Sequence, residues 1–148
     1  MFSILNHSEN VMTNTVKIGD RSIGPGESCF VIAEIGINHN GDLATTRDLI
    51  QASKDAGADA VKFQKRTVEV VYTAAELANP RDNPFGPTNG DLKRGLEFTQ
   101  EQYSEIDSIC QELDILWTAS CWDEGSVDFM EKFSPPFYKI ASASLTDD

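Results

Sequence analysis

Short apolar segments with the character of buried strands alternate with amphipathic segments along most of the chain. The strand candidates are residues 30–35, 60–64, 115–119 and 137–142, and the helix candidates between them are residues 43–56, 99–113 and 126–133. A βαβαβαβ order favours parallel neighbouring strands joined by right-handed crossovers. The sequence therefore predicts an α/β fold built on a parallel sheet.

Local signals mark the ends of several of these elements. Thr99 is followed three residues later by Gln102, which is the pattern of a capping box at a helix start. Gly57 follows the first helix candidate and suits the position just past a helix end. Weak alternation over residues 15–23 before a turn at residues 24–26 predicts a small hairpin ahead of the sheet.

Length, charge and cysteine content exclude several classes of protein. The 148 residues suffice for one domain, and 12 Lys and Arg against 24 Asp and Glu give a net charge of −12. Such a surface repels nucleic acid and anionic lipid, so neither is an expected partner. No apolar run could span a bilayer, and residues 1–14 lack the features of a signal peptide and are expected to be flexible. Three widely spaced cysteines without a CxxC pair suit a reducing compartment, which predicts a cytoplasmic location.

Residues 65–98 interrupt the alternation of strands and helices. The segment is too long for a βα loop, and residues 79–90 are rich in Pro and Gly. Long ordered insertions after a strand often carry function. A variable surface excursion explains the same sequence equally well.

Polar residues stand near the end of every predicted strand. They are Glu34 on the first, Lys62 and Gln64 on the second, Ser120 on the third, and Lys139 and Ser142 on the fourth. Burying unpaired charges is costly, so packing alone explains this recurrence poorly. The carboxyl ends of the strands form the active face of a (β/α) barrel. Two lysines with hydroxyl and amide donors there would make a cradle for phosphate and carboxylate groups.

Plainer interpretations remain open for some of these residues. Glu34 and Lys62 could form a structural salt bridge, and packing explains Ser142 about as well as binding does. The segment 36–41 (GINHNG) is not a P-loop, because Asp and Leu follow where Lys and Ser or Thr are required. His39 within it is expected to be a hydrogen-bonding loop residue rather than a metal ligand.

Three segments carry a more specific signal: AEIGINHNG at 33–41, VKFQ at 61–64 and YKIAS at 138–142. They resemble the signature strands of the N-acetylneuraminate (sialic acid) synthase family, and the resemblance runs from about Val16 to the end. The resemblance implies a TIM (β/α) barrel, of which residues 15–148 would form a truncated domain holding about the first four β/α units. It implies condensation of phosphoenolpyruvate with N-acetylmannosamine or a related N-acetylated hexosamine, giving a nonulosonic acid and phosphate.

The resemblance also implies roles for the strand-end residues. Glu34 would be the catalytic glutamate near metal and sugar, and the substrate-binding residues would be Lys62, Gln64, Ser120, Lys139 and Ser142. Two departures from the family pattern stand out. Ser-Cys-Trp-Asp at 120–123 replaces the common Thr-Pro-Phe-Asp, and Ser144 stands where many members carry a second glutamate. The proton-transfer step and the sugar are therefore open, with legionaminic and pseudaminic acids among the alternative products.

The family resemblance implies a divalent metal, Mn or Mg, that polarises the sugar aldehyde. Its histidine ligands come from later strands, outside this chain, and the full-length form is expected to be a homodimer. This chain alone is expected to be inactive as a synthase. The alternatives are an inactive half-barrel that at most binds phosphate or assembles with another chain, and a structural module that binds neither phosphoenolpyruvate nor phosphate.

Overall fold

The computed structural model describes residues 15–145, and the segment predicted to be flexible, residues 1–14, lies outside this range. The elements in chain order are β1 (Val16–Ile18), β2 (Arg21–Ile23), β3 (Ile32–Gly36), α1 (Leu43–Asp55), β4 (Ala60–Lys65), α2 (Val68–Val71), α3 (Ala74–Ala78), β5 (Pro80–Asn83), β6 (Gly86–Thr88), α4 (Asn89–Gly95), α5 (Gln100–Glu112), β7 (Leu116–Cys121), α6 (Glu124–Glu131), β8 (Lys139–Ile140) and a 3₁₀ turn (Ser142–Ser144). Within the described range no helix is long and apolar enough to cross a membrane.

The central sheet has the strand order β3-β4-β7-β8, and every neighbouring pair is parallel. Each strand therefore lies beside the next sheet strand in the chain. With right-handed crossovers, this order places the connecting helices on one face of the sheet. Helix α1 packs against α5, as such a one-sided layer requires. A parallel sheet with sequential strands and helices on one face has the geometry of a (β/α) barrel wall, and the α/β prediction is confirmed.

Side chains along β4 point alternately into the core and toward the opposite face of the sheet. Val61 and Phe63 are fully buried in an apolar cluster that also contains Ile50, Ile106, Trp117 and Met130. Tyr103 of α5 stacks on Trp117 with ring centroids 5.8 Å apart, and its hydroxyl donates to the Gln64 carbonyl over 2.9 Å. Burial of each such large apolar side chain stabilises the folded state by about 1.5–3 kcal/mol. The residues between them in sequence face away from this core.

Helix ends follow their sequence signals with small shifts. The capping box at Thr99 is confirmed, since its hydroxyl accepts the Gln102 N–H and the Gln102 side chain accepts the Thr99 N–H over 2.9 Å. Gly57 follows α1 with φ +82°, as predicted for a helix end. Helix α6 begins at Glu124 rather than at residue 126, because the Asp123 carboxylate accepts the N–H of Ser126 and caps the helix earlier.

Three sequence-based boundaries are wrong. The predicted hairpin is present as β1–β2, but it turns around Gly19 (φ +55°) and not at residues 24–26. The third sheet strand runs to Cys121 rather than 119, because it pairs with β4 as far as Lys65. The fourth does not reach Ser142: the chain leaves the ladder after Ile140 and tightens into the 3₁₀ turn, closed by the Ser144 N–H to the Ala141 carbonyl over 3.0 Å.

The insertion at residues 65–98 is folded and packs onto the loop that follows β3. It contains α2, α3, α4 and the β5–β6 hairpin. Phe85, next to this hairpin's tip, lies against Gly95, where an added Cβ would be 2.2 Å from the ring. Gly41 of the β3–α1 loop lies equally close to the Gly95 carbonyl, since a Cβ there would approach it to 2.4 Å. The insertion therefore supports a loop at the carboxyl end of the sheet.

Candidate active site at the carboxyl ends of the strands

A cleft of about 450 Å³ lies at the carboxyl ends of the sheet strands. The six residues predicted from the sequence all line it: Glu34, Lys62, Gln64, Ser120, Lys139 and Ser142. Strand register explains the convergence, because Glu34 is paired with Lys62, Gln64 with Ser120, and Ser120 with Lys139. Parallel strands in such register place these side chains side by side on one face. The structure thus brings together residues that lie far apart in the chain.

Lys62 is buried and has two polar partners in the cleft. Its Nζ forms an ion pair with the Glu34 carboxylate and donates to the Ser120 hydroxyl over 3.1 Å. The Lys62 side chain is 10% exposed, whereas that of Glu34 is 52% exposed. The salt bridge envisaged from the sequence therefore exists, and it lies in the wall of the cleft. Pairing satisfies the ammonium that burial would otherwise penalise.

Lys139 differs from Lys62, because its ammonium has no ion-pair or hydrogen-bond partner among residues 15–145. It is half-buried where β8 meets the cleft. Since the charges of Lys62 and Glu34 offset each other, Lys139 leaves the described cleft with a net positive charge. Ser142 lies beside it in the 3₁₀ turn rather than on the strand. This edge of the cleft is suited to an anionic group.

A bulge in β3 brings polar side chains close to the backbone of Gly36. The pairing with β4 shifts between Glu34 and Gly36, and Gly36 has φ +59°. A Cβ at this glycine would lie 3.0 Å from Glu34 Oε1 and 3.4 Å from Gln64 Nε2. Glycine is therefore required both for the left-handed backbone and for the room that these two side chains occupy.

His39 holds the β3–α1 loop against the insertion. Its Nδ1 accepts the Gly41 N–H over 3.0 Å, and its ring stacks on Phe98 with centroids 4.2 Å apart. Burial lowers the pKa of His39 to about 4, so the imidazole is neutral at neutral pH. The prediction of a hydrogen-bonding loop residue is confirmed. The loop it orders contributes Ile37 and Asn38 to the cleft.

Residues 15–145 contain no group of three or more His, Cys, Asp or Glu side chains that could hold a metal ion. In the described cleft the lining carboxylate is Glu34, and it is paired with Lys62. These residues by themselves do not fit a divalent cation.

Sequence reasoning missed two neighbours of the cleft. Trp122 lines it, although the sequence singled the residue out only as a departure from a family pattern. The guanidinium of Arg66 lies 5.7 Å from the Trp122 ring and forms an ion pair with Glu97. Arg66 Nη2 and Trp122 Nε1 are both buried without a hydrogen-bond partner in the described range. The sequence offered one signal for these two residues, which is that each directly follows a strand of the sheet.

Fold and site together define the class of protein. Sequential parallel strands with helices on one face, and a polar cleft at their carboxyl ends, characterise a (β/α)-barrel-type enzyme domain. The available cation in that cleft is suited to a small anionic ligand.

Comparison with known proteins identifies the family. Residues 49–148 match the NeuB family, and the chain belongs to it. It is 41% identical to the N-acetylneuraminate-9-phosphate synthase of Mus musculus over 129 residues, covering 86% of this chain and 36% of that protein. It is 34% identical to the N,N'-diacetyllegionaminic acid synthase of Legionella pneumophila, covering 87% of this chain and 37% of that protein.

A solved structure supports the barrel-type fold. The N-acetylneuraminic acid (sialic acid) synthetase of Leptospira borgpetersenii, crystallised with citrate, superposes with a TM-score of 0.74 at 25% identity. The match covers 89% of this chain and 42% of that one. The predicted family and barrel-type fold are confirmed. The chain spans about a third of the length of its curated relatives.

Proposed function

We propose that the protein containing this chain condenses phosphoenolpyruvate with an N-acetylated hexosamine, N-acetylmannosamine or a related sugar, to a nonulosonic acid and phosphate. The observation that carries the proposal is the convergence of Lys62, Gln64, Ser120, Lys139 and Ser142 on one cleft, with the Lys139 ammonium still available. Phosphoenolpyruvate carries a phosphate and a carboxylate on three carbons, which suits cations and hydroxyls spaced along a strand edge. Membership of the NeuB family supports the same chemistry.

The reaction balances with one molecule each of phosphoenolpyruvate, aldehyde and water. C3 of phosphoenolpyruvate forms a carbon–carbon bond to the aldehyde carbon, and the aldehyde oxygen takes up a proton. The hydroxyl of water adds to the electron-poor C2, and its proton is released. The C2–phosphate intermediate then loses phosphate, which takes up the proton of the C2 hydroxyl and leaves a ketone at C2. The products are one 3-deoxy-2-keto acid and one phosphate.

The residues of this chain bind and orient the anionic partner. Lys139 and Ser142 hold phosphate and carboxylate oxygens. Lys62, which is kept in place by its ion pair with Glu34, adds positive electrostatic potential. Such preorganised charges stabilise developing negative charge without reorganisation. Glu34 is the carboxylate in the described cleft, and half of its side chain is exposed there. We therefore assign it the catalytic role of contacting the sugar and accepting or donating a proton.

The proposal extends to the rest of the protein. It includes a Mn or Mg ion with ligands outside residues 15–145 and a homodimer of the complete enzyme. It also includes a cytoplasmic location. The free thiols of Cys29, Cys110 and Cys121 support the last point, because such cysteines suit a reducing compartment.

The test is an assay of the enzyme that contains this chain with phosphoenolpyruvate, N-acetylmannosamine and Mn²⁺. We expect phosphate release and sugar consumption in equal amounts, with a product whose mass is that of the nonulosonic acid. Phosphate release without sugar consumption would instead identify a phosphatase and reject the proposal.

A further inference from the structure

Arg66 is a buried cation at the carboxyl end of the sheet, and the proposed function does not use it. It directly follows β4, and Trp122 directly follows the neighbouring strand β7. The Trp122 N–H donates to the Lys65 carbonyl over 3.1 Å, so the two chain segments stay paired up to this point. Arg66 is 3% exposed and lies outside the lining of the cleft, so a ligand in the cleft would not touch it.

Two residues of the insertion orient the Arg66 guanidinium. Its Nε forms an ion pair with the Glu97 carboxylate, and its Nη1 donates to the Tyr72 hydroxyl over 3.2 Å. The guanidinium carbon then lies 5.7 Å from the centre of the Trp122 ring. An aromatic face attracts a guanidinium at this distance, and the attraction is stronger where water is excluded. Arg66 therefore ties the Trp122 side chain to the insertion.

No hydrogen bond from the indole itself holds the Trp122 ring within the described range. Trp122 Nε1 is buried and has no hydrogen-bond partner among residues 15–145, and the same is true of Arg66 Nη2. Buried N–H groups are usually paired, because leaving one without an acceptor is costly. The rotation of the ring therefore depends on its packing, and the contact with the guanidinium is the polar part of that packing.

Trp122 forms the wall of the cleft beside its anion-binding edge. It lines the cleft together with Ser120, Lys139 and Ser142, and it shares with Lys139 an adjoining cavity of about 160 Å³. An apolar wall excludes water and lowers the local dielectric, which strengthens the interaction between the Lys139 ammonium and a bound anion. A ring that is free to rotate would admit water and weaken this interaction.

We propose that Arg66 is a positioning residue for phosphoenolpyruvate, and that its guanidinium fixes the Trp122 ring as the wall of the anion-binding edge. The inference rests on the proposed function and adds to it a residue that the ligand does not touch. It also gives the insertion a role, because Glu97 and Tyr72, which orient the guanidinium, both belong to residues 65–98.

Two substitutions of Arg66 separate its charge from its planar group. In Arg66→Met the Glu97 carboxylate keeps a cation, because Lys65 Nζ lies 3.4 Å from it, and methionine retains most of the buried stem. We therefore expect this variant to fold. Arg66→Lys retains the positive charge, but a single ammonium cannot bond both Glu97 and Tyr72 and also present a flat face to the indole.

The test is calorimetric titration of the enzyme that contains this chain with phosphoenolpyruvate. We expect Arg66→Met and Arg66→Lys each to weaken the affinity roughly three- to tenfold, the size of a desolvated cation–π contact. In the ligand-free 148-residue chain, acrylamide should quench tryptophan fluorescence more strongly in both variants, because the Trp122 ring is released. Arg94→Met is the matched control and should change neither result, since Arg94 pairs with Glu69 on the exposed surface of the insertion.

A double-mutant cycle shows whether Arg66 acts through Trp122. Trp122→Leu removes the ring, and in that background Arg66→Met should change phosphoenolpyruvate affinity by less than about twofold. An equal loss in both backgrounds, full affinity in Arg66→Lys, or unchanged affinity in Arg66→Met would each overturn the inference and leave the proposed function standing. A parent enzyme that binds no phosphoenolpyruvate would overturn the proposed function, and the inference with it.

Discussion

Replacing Lys62 with methionine tests whether this lysine has a structural role or binds the ligand. The Lys62 side chain is 10% exposed, bonds to Ser120 and pairs with Glu34. Methionine keeps most of the packed stem and removes the charge. The Glu34 carboxylate is half exposed and can be solvated once its partner is lost. We therefore expect the free energy of unfolding to fall by only about 1–2 kcal/mol, below the 3–5 kcal/mol typical of a broken, fully buried pair.

The effect of Lys62→Met on ligand binding should be larger than its effect on stability. The substitution removes one charge-assisted contact and leaves Glu34 uncompensated, so the described cleft loses its net positive charge. Losing a hydrogen bond to a charged group costs about 1.5–3 kcal/mol, which corresponds to a roughly 10- to 150-fold weaker affinity for phosphoenolpyruvate.

Calorimetric titration with phosphoenolpyruvate and urea unfolding of the same protein measure these two effects separately. Lys17→Met is the matched control, because Lys17 is an exposed lysine of the N-terminal hairpin. An affinity within about twofold of the parent chain, with a loss of stability alone, would refute the argument and show that Lys62 is structural.

Three further changes test the surroundings of the cleft. Glu34→Gln should abolish turnover in the complete enzyme with phosphoenolpyruvate affinity largely retained, and loss of folding instead would favour a purely structural pair with Lys62. Gly36→Ala should weaken phosphoenolpyruvate binding in the same titration, because the new Cβ would press on Glu34 Oε1 at 3.0 Å in a backbone of φ +59°; unchanged affinity would contradict this. His39 has a pKa near 4 in the fold and 6.5 as a free group, so the unfolded chain binds the proton more tightly and stability falls as pH drops from about 6.5 to 4. The loss should approach roughly 3 kcal/mol in urea titrations, and His39→Gln should remove this slope.

The sheet and the strand-end residues could be predicted because they follow from short-range patterns. Alternation of strand and helix segments determines a parallel order, and residues two apart such as Lys62 and Gln64 must share a face. Parallel register then places Glu34, Ser120 and Lys139 beside them. These inferences need neither side-chain contacts nor loop conformations.

The remaining features depend on contacts between distant segments. The bulge at Gly36 and the 3₁₀ turn after β8 are departures from regular ladders that residue patterns do not specify. The placement of the insertion depends on the packing of Phe85 and Gly95 near the β3–α1 loop, which no local pattern specifies. Trp122 was visible as an unusual residue, but its place in the wall of the cleft depends on the fold.

Titration of the 148-residue chain with phosphoenolpyruvate, followed by tryptophan fluorescence, tests whether the cleft binds this ligand. Trp122 lines the cleft, while Trp117 is buried in the core and supplies a constant background. We expect a saturable change in emission that inorganic phosphate competes away, and Lys139→Ala should weaken the affinity for phosphoenolpyruvate at least about tenfold. A chain that folds as described and shows neither a saturable signal nor a heat of binding with phosphoenolpyruvate would contradict this expectation.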